Sequence, residues 1–412
     1  MAVTSYRARW VAPVDGEPIA DAQLDIADGL LRSVGAARTG THGPVDLGDV
    51  LIVPGFVNAH THLELSACRE KVPFEGSFIG WLETLVRTSR FETEPDHRIA
   101  SAVRELDAAL RVGVTAVADI ATDPCMLELW RKAPAAMVGL LEVIGMGPRR
   151  IERHAQSWDV LAPRAEAEPV TDGVRVGLSP HAPYSVAPEI YRAAVAFARR
   201  TGRPLCTHLA ETREELEFLA EGTGPFRVML EQWGLWDGSF EVPRCSPVAY
   251  ADRLGLLAVR PLLAHVNYVS TDDLDLLAER GASVIYCPRA HAFFGHPPHS
   301  FEAMLARGIP VCIGTDSLAC NTSLSVLDEL RFLHRRDDRV RPATLLAMGT
   351  LNGARALGLS DRCGSLEAGK RADWVAIPLS NPGTNDPIRD VLESEAAPSA
   401  VFLAGSPVSI DA

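Results

Sequence analysis

Lysine is almost missing from this chain. Of 412 residues only Lys71, Lys132 and Lys370 are lysines, and the rest of the positive charge is arginine. Net charge is −13, so a phosphate backbone would be repelled and no nucleic-acid partner is expected. The eight cysteines, at 68, 125, 206, 245, 287, 312, 320 and 363, are scattered without a CxxC pair. That excludes a Cys-based zinc knuckle and a disulfide framework. Cys206, Cys287 and Cys312 sit inside apolar runs, where a thiol behaves as a small hydrophobe. No run stays apolar for the roughly 20 residues of a membrane span, so no membrane partner is expected. The opening MAVTSYRARWVAPVDG lacks a basic region followed by an apolar core, and a cytoplasmic location is the expectation. No GxGxxG follows the first strong apolar run, which removes the dinucleotide-fold reading.

Hydrophobic residues make up 47% and charged residues 23% of the chain, as in a soluble globular enzyme. From residue 51 short apolar runs alternate with amphipathic stretches. The runs are 51–62, 113–120, 135–145, 174–183, 204–211, 262–268, 282–290 and 311–318. Continuous apolar strands separated by helices imply a parallel sheet covered on both faces. Eight such units favour a closed (β/α)8 TIM-like barrel over an open sheet. Between the runs, 97–112 puts Ile99, Val103, Leu106 and Leu110 on one stripe. STDDLDLLAERG, 270–281, starts at an N-cap serine and stops at glycine. Residues 1–50 and 365–412 read as strands and turns. The expected class is therefore α/β: a barrel over 51–364 with a small composite β-sandwich domain from both termini.

In such a barrel, functional side chains project from the carboxyl ends of different strands. Those ends carry His60 and His62, Glu142, His181, His208 with Glu211, His265, Arg289 with His291, and Asp316. Each histidine alone reads more readily as a packed or surface imidazole. Together, at so many strand ends, they are hard to explain by packing. His60 and His62 lie two apart on a strand and so face the same way. With His208 and Asp316 they offer three nitrogens and one oxygen, a set suited to one Zn²⁺ or Fe²⁺. Such an ion lowers the pKa of a bound water from about 15.7 to about 7, which makes the expected chemistry hydrolytic.

PGFVNAHTHLE, SPHAPYS, THLAETREE, HVNYVSTDDL and GTDSLACNTSLSVLDEL occur in this order, and together they resemble the amidohydrolase superfamily, in its branch acting on ring amines. GSLEAGKRADWVAI resembles that family's closing β segment. The resemblance implies that His60, His62, His208 and Asp316 hold the metal. It implies that Glu211 shuttles protons, that His265 contacts nucleophile and leaving group, and that Asp316 also serves as a proton acceptor. Without the resemblance, Glu211 reads equally as an acid favoured in a helix's first turn. Binuclear members bridge two metals with a carbamylated lysine, usually on the fourth strand. No lysine lies on any barrel run here, so one metal is expected and hydrolases resembling dihydroorotase or hydantoinase are disfavoured.

The seventh run departs from the commoner pattern and reads CPRAHAFFGHPPH, 287–299. A cationic Arg289 there would suit an anionic group on the substrate, with His291, His181 and Glu142 as further contacts. GSFIGWLETLV, LLEVIG and LAEGTGPFRVMLEQWG, with CPR, look like segments of 6-aminodeoxyfutalosine deaminases of menaquinone biosynthesis. That substrate is an adenine nucleoside bearing a benzoate. Deaminases of methylthioadenosine, adenosylhomocysteine, guanine or cytosine stay open, as do chlorotriazine-type hydrolases and, more remotely, a non-catalytic interaction protein on the same fold. The expected partner is a small molecule. Assembly stays open, a homodimer included, and so do the roles of His296 and His299.

Overall fold

The computed structural model describes residues 3–38, 43–146, 148–171, 173–236 and 238–409, with the backbone alone over 148–157. Its centre is eight parallel strands in two four-stranded sheets. Phe56–Thr61, Val114–Ala121, Ala136–Val143 and Val174–Pro180 pair in sequence order. Cys206–Leu209, Leu262–His265, Ser283–Tyr286 and Val311–Ile313 follow in the same order. The second and third strands are buried at every position, as expected where helices cover one face and a packed interior the other.

Backbone hydrogen bonds stitch both seams between the two sheets. At one, Leu178 N donates to Pro204 O at 3.2 Å and His208 N to His181 O at 2.8 Å. At the other, Thr315 N and Asp316 N donate to His60 O at 3.0 and 3.1 Å. A glycine makes each approach possible. A Cβ on Gly177 would stand 2.0 Å from the Pro204 carbonyl oxygen, and one on Gly314 only 2.7 Å from His60 Cβ. The architecture is a (β/α)8 TIM-like barrel.

Strands from the two termini share one further eight-stranded sheet. In it Val50–Pro54 lies between Thr4–Val11 and Trp374–Pro378, with Ala400–Leu403 beyond. The apolar run 51–62 therefore divides at Gly55: its first half belongs to this sheet and only Phe56–Thr61 to the barrel. A Cβ on Gly55 would fall 2.1 Å from Thr115 Oγ1, so the chain passes between the sheets where only glycine fits. Trp374 and Phe402 stack at 4.0 Å in the core of the terminal sheet.

Helix Thr271–Arg280 has the expected ends, with a capping box between Ser270 and Asp273 and a left-handed Gly281. Helix Pro95–Arg111 differs from its expected stripe. Ala102, Leu106, Ala109 and Leu110 are buried, whereas Val103 is exposed and Ile99 only half-buried. The small alanines let the helix lie close, which turns the stripe by about one residue. Among the described residues no helix is long and apolar enough to cross a membrane.

Candidate active site

Short strands ending abruptly are what deliver the site. The fifth barrel strand stops at Leu209 and the sixth at His265. At these ends the backbone turns through left-handed geometry on non-glycine residues: Ala210 at φ 50, His265 at φ 71, Val266 at φ 53 and Asp316 at φ 58. Such conformations cost of the order of 1–3 kcal/mol each and persist where the surroundings enforce them.

Six of the expected side chains converge. His60 Nε2 and His62 Nε2 each lie 3.9 Å from Asp316 Oδ1. His62 Nε2 faces His208 Nε2 at 3.2 Å. Ligand atoms of His60, His208 and His265 fall within 4.8 Å of one another, as do those of Glu211, His265 and Asp316. His265 Nε2 stands 3.5 Å from Glu211 Oε1. All are buried.

The polar atoms of this cluster are arranged for a cation. His208 Nδ1 donates to the His181 carbonyl at 3.0 Å, leaving Nε2 as a lone pair. The His62 ring is held by the Ile120 carbonyl. Two imidazole nitrogens then face each other with no proton required between them. His60 is enclosed, and among the described residues neither of its ring nitrogens has a hydrogen-bond partner. Buried polar atoms without partners are costly, and a divalent ion held by His60, His62, His208 and Asp316 would satisfy one of the two His60 nitrogens. Three nitrogens and one carboxylate oxygen fit such an ion.

Burial sets the protonation of the group. It holds the His60, His62 and His265 imidazoles far below their usual range, with neighbouring histidines adding to the effect. It brings His208 down to about 4. All four imidazoles are thus neutral at pH 7. Burial pushes Asp316 up to about 6, and pushes Glu211 well above the carboxylate range, with Asp316 and Glu215 contributing. A cation in the cluster would act in the opposite direction on both carboxylates.

Supporting residues that the sequence did not single out fix these ligands. Asn58 Nδ2 donates to Thr315 Oγ1 at 2.7 Å, and Thr61 Oγ1 to the Asp316 carbonyl at 3.0 Å, tying first strand to last. Asp119, pushed up to about 8 by burial, accepts from Leu63 N and Trp130 Nε1 at 2.7 Å each. That anchors the turn after His62. The Glu215 carboxylate accepts from Ala210 N at 3.0 Å and Glu211 N at 2.8 Å. Asn267 Nδ2 donates to the Glu211 carbonyl at 2.9 Å. Thr212 caps the following helix by accepting from Glu215 N, and the Glu215 carboxylate reaches back to hold the Glu211 backbone.

His62, His208, Glu211, His265 and Asp316 open into one pocket with Glu142 and His181. Ser185 Oγ donates to Ala182 O and lies 2.6 Å from His181 Nδ1. The opposite nitrogen of His181 is then free for a ligand. Burial, with Glu64 nearby, lifts Glu142 to about 8, so it is protonated and can donate at neutral pH. Phe78 and Trp81 of helix Phe78–Phe91, together with Ile144 and Tyr184, complete the wall, and Phe226 stacks behind Tyr184 at 3.8 Å. The segments 76–86, 140–145 and 219–234 thus meet around one cavity.

Arg289 and His291 lie elsewhere. The strand ends at Tyr286, and Pro288 starts a short helix that carries both residues away from the pocket lining. Arg289 Nε donates to Glu329 Oε1 at 2.7 Å, and its other nitrogens go to Thr322 Oγ1, Ser323 O and Ser323 Oγ. Glu329, fully buried, also takes Asn321 Nδ2 at 2.8 Å, and Asn321 holds the Thr315 carbonyl. The guanidinium thus braces the loop that presents Asp316, which corrects its expected role as a substrate contact. His291 packs against Tyr286 and His299, and His299 Nε2 pairs with the His265 carbonyl at 2.9 Å. Arg289→Met would leave Glu329 buried without its partner, at a cost of about 3–5 kcal/mol. A clear fall in Tm is expected. An unchanged Tm, with kcat/KM lost only on anionic substrates, would return Arg289 to the substrate.

Residues 51–408 match the model of the amidohydrolase family. The 5-methylthioadenosine/S-adenosylhomocysteine deaminase of Moorella thermoacetica is 31% identical over 394 residues, 90% of this chain and 85% of that protein. The aminodeoxyfutalosine deaminase of Deinococcus radiodurans is 29% identical, covering 77% of this chain and 76% of its own. Among solved structures, Helicobacter pylori aminofutalosine deaminase with methylthio-coformycin superposes at a TM-score of 0.84 and 23% identity, over 98% of this chain and all of that one. A zinc-bound adenosine deaminase from Xanthomonas campestris gives a TM-score of 0.80 at 23% identity, over 98% and 92% of the two chains. The strand-end cluster and these matches agree on one assignment: the chain belongs to the amidohydrolase family and is a hydrolase.

Proposed function

We propose that this protein is a hydrolytic deaminase of an aminated purine nucleoside, with 6-aminodeoxyfutalosine of menaquinone biosynthesis as its substrate and one Zn²⁺ or Fe²⁺ as its metal. The observation that carries the reaction is the Glu211–His265 pair, 3.5 Å apart and beside Asp316. An ion held by His60, His62, His208 and Asp316 would supply Lewis acidity and make water a competent nucleophile at neutral pH. The side chains then divide the proton transfers. Asp316 and Glu211 are carboxylates that burial pushes upward and a bound cation would pull back down, and both stand within the cluster where a proton is taken from the water and given to the ring. Glu211 delivers a proton to the ring nitrogen as water attacks the amidine-like carbon. His265, neutral and with Nε2 unpartnered, offers that nitrogen to the attacking oxygen. Departure of ammonia requires one more proton, which Asp316 has taken from the water.

The substrate reading is supported by the segments resembling aminodeoxyfutalosine deaminases, since 76–86 and 140–145 line the pocket and 219–234 backs it through Phe226 against Tyr184, and by the Deinococcus relative. A methylthioadenosine or adenosylhomocysteine deaminase is the second reading, favoured by the higher identity and coverage of the Moorella protein. Ammonia release from aminodeoxyfutalosine, methylthioadenosine, adenosylhomocysteine, adenosine, guanine and cytosine separates them. The highest kcat/KM is expected on aminodeoxyfutalosine. A higher value on either sulfur nucleoside would transfer the assignment, and no ammonia from any would remove the deaminase reading.

A further inference from the structure

The pocket that starts at the histidine cluster ends at two guanidinium groups. Helix Phe78–Phe91 lays Phe78, Trp81, Leu82 and Leu85 along one wall and brings Arg90 to the mouth, where Arg98 of the next helix also lines the cavity. The two differ in what they are already doing. Arg98 is paired with Asp123 at 3.4 Å. Glu64, an acidic side chain of the same pocket, is also committed. Its Oε1 accepts from Thr122 N and Thr122 Oγ1 at 3.0 and 2.7 Å, and its Oε2 from Asp123 N at 3.2 Å. Arg90 is exposed and pairs with no carboxylate among the described residues, although its charge reaches both Glu142 and Asp123.

We propose that Arg90 is the anion-reading residue of this pocket, binding a carboxylate carried by the substrate at the end remote from the reacting ring. The proposal rests on the deaminase reading of the same pocket. Three features select the ligand class. The aminated ring must sit at the histidine cluster, because the proton-carrying groups are there. The stretch between is apolar, so it suits an uncharged, preferably aromatic, spacer. At the mouth a single uncommitted guanidinium presents paired donors that match one carboxylate. The neighbouring acidic groups, Glu64 and Asp123, make a phosphate dianion a poorer fit than a monoanion.

The test uses the zinc-loaded enzyme and measures binding directly. Dissociation constants are determined by calorimetry for the deaminated product of aminodeoxyfutalosine, which undergoes no turnover, and for the carboxamide of that product, which has the same shape without the charge. An exposed but partly enclosed charge-assisted pair gives the acid a preference of about tenfold, and raising the ionic strength should shrink it. Arg90→Met is expected to erase the preference while leaving the carboxamide's Kd unchanged, which also shows that the fold is intact. Arg90→Lys should recover part of it. A wild-type enzyme that does not prefer the acid, whether it binds both compounds or neither, overturns the proposal. So does an Arg90→Met variant that keeps the preference. A preference that depends on Arg90, with no ammonia released from aminodeoxyfutalosine, would instead remove the reaction assignment and leave the subsite standing.

Discussion

His208→Ala is expected to remove bound metal and turnover together. His208 supplies the nitrogen that faces His62 Nε2 at 3.2 Å, and its orientation is fixed from behind by the His181 carbonyl. Its loss deprives the ion of one of four donors and leaves His60 still enclosed without a partner for either nitrogen. Changes to groups that merely hold a ligand typically cost about 10–100-fold in metal affinity, so removal of the ligand itself should cost at least about 100-fold. Elemental analysis after dialysis against a weak chelator checks the first half, and ammonia release checks the second. Wild-type protein should retain one equivalent, and the variant close to none. Undiminished metal in the variant would mean that His208 is a packing residue. Two equivalents in the wild type, both needed for activity, would defeat the single-ion reading that rests on the missing lysines.

The difference between what the sequence discloses and what it hides follows from distance along the chain. His60, His62, His208, His265 and Asp316 are legible because each ends an apolar run, and strand alternation with parallel topology sends all such ends to one rim. Glu211, three residues past His208, stands out from a helix's first-turn acid only through the family resemblance. Arg289 misled because its partner, Glu329, lies forty residues further on. Pro288, which turns the strand into a helix, also redirects the side chain away from the pocket. The division of 51–62 at Gly55 was hidden because both halves are equally apolar, and only the proximity of Thr115 reveals why a glycine interrupts them. Asp119 and Glu215 look like ordinary acids in sequence. Their roles come from backbone amides presented by turns, and no side-chain pattern encodes those. Arg90 is one arginine among many until the orientation of helix Phe78–Phe91 puts it at the mouth of the cavity.

Glu211→Gln should separate chemistry from metal binding. The substitution keeps the shape of the side chain and the two backbone bonds from Ala210 and Glu211 to Glu215, so the loop has no reason to move. It removes the ability to carry a proton. Loss of one positioned acid or base costs about 10²–10⁴-fold in rate, with metal content expected to stay at the wild-type level. His265→Asn offers the companion measurement. The His265 backbone is held at φ 71 with its carbonyl paired to His299, so the change should alter the side chain at the pocket and little else. The pH profile discriminates between a proton carrier and a structural acid. Burial, Asp316 and Glu215 raise the Glu211 pKa, so a limb of the wild-type kcat profile should disappear in Glu211→Gln, leaving a flat and much lower rate. Full turnover with full metal in Glu211→Gln would reduce Glu211 to the first acid of its helix. A low rate that kept the wild-type profile would assign the titrating group to Asp316 instead, the other carboxylate that burial brings toward neutrality.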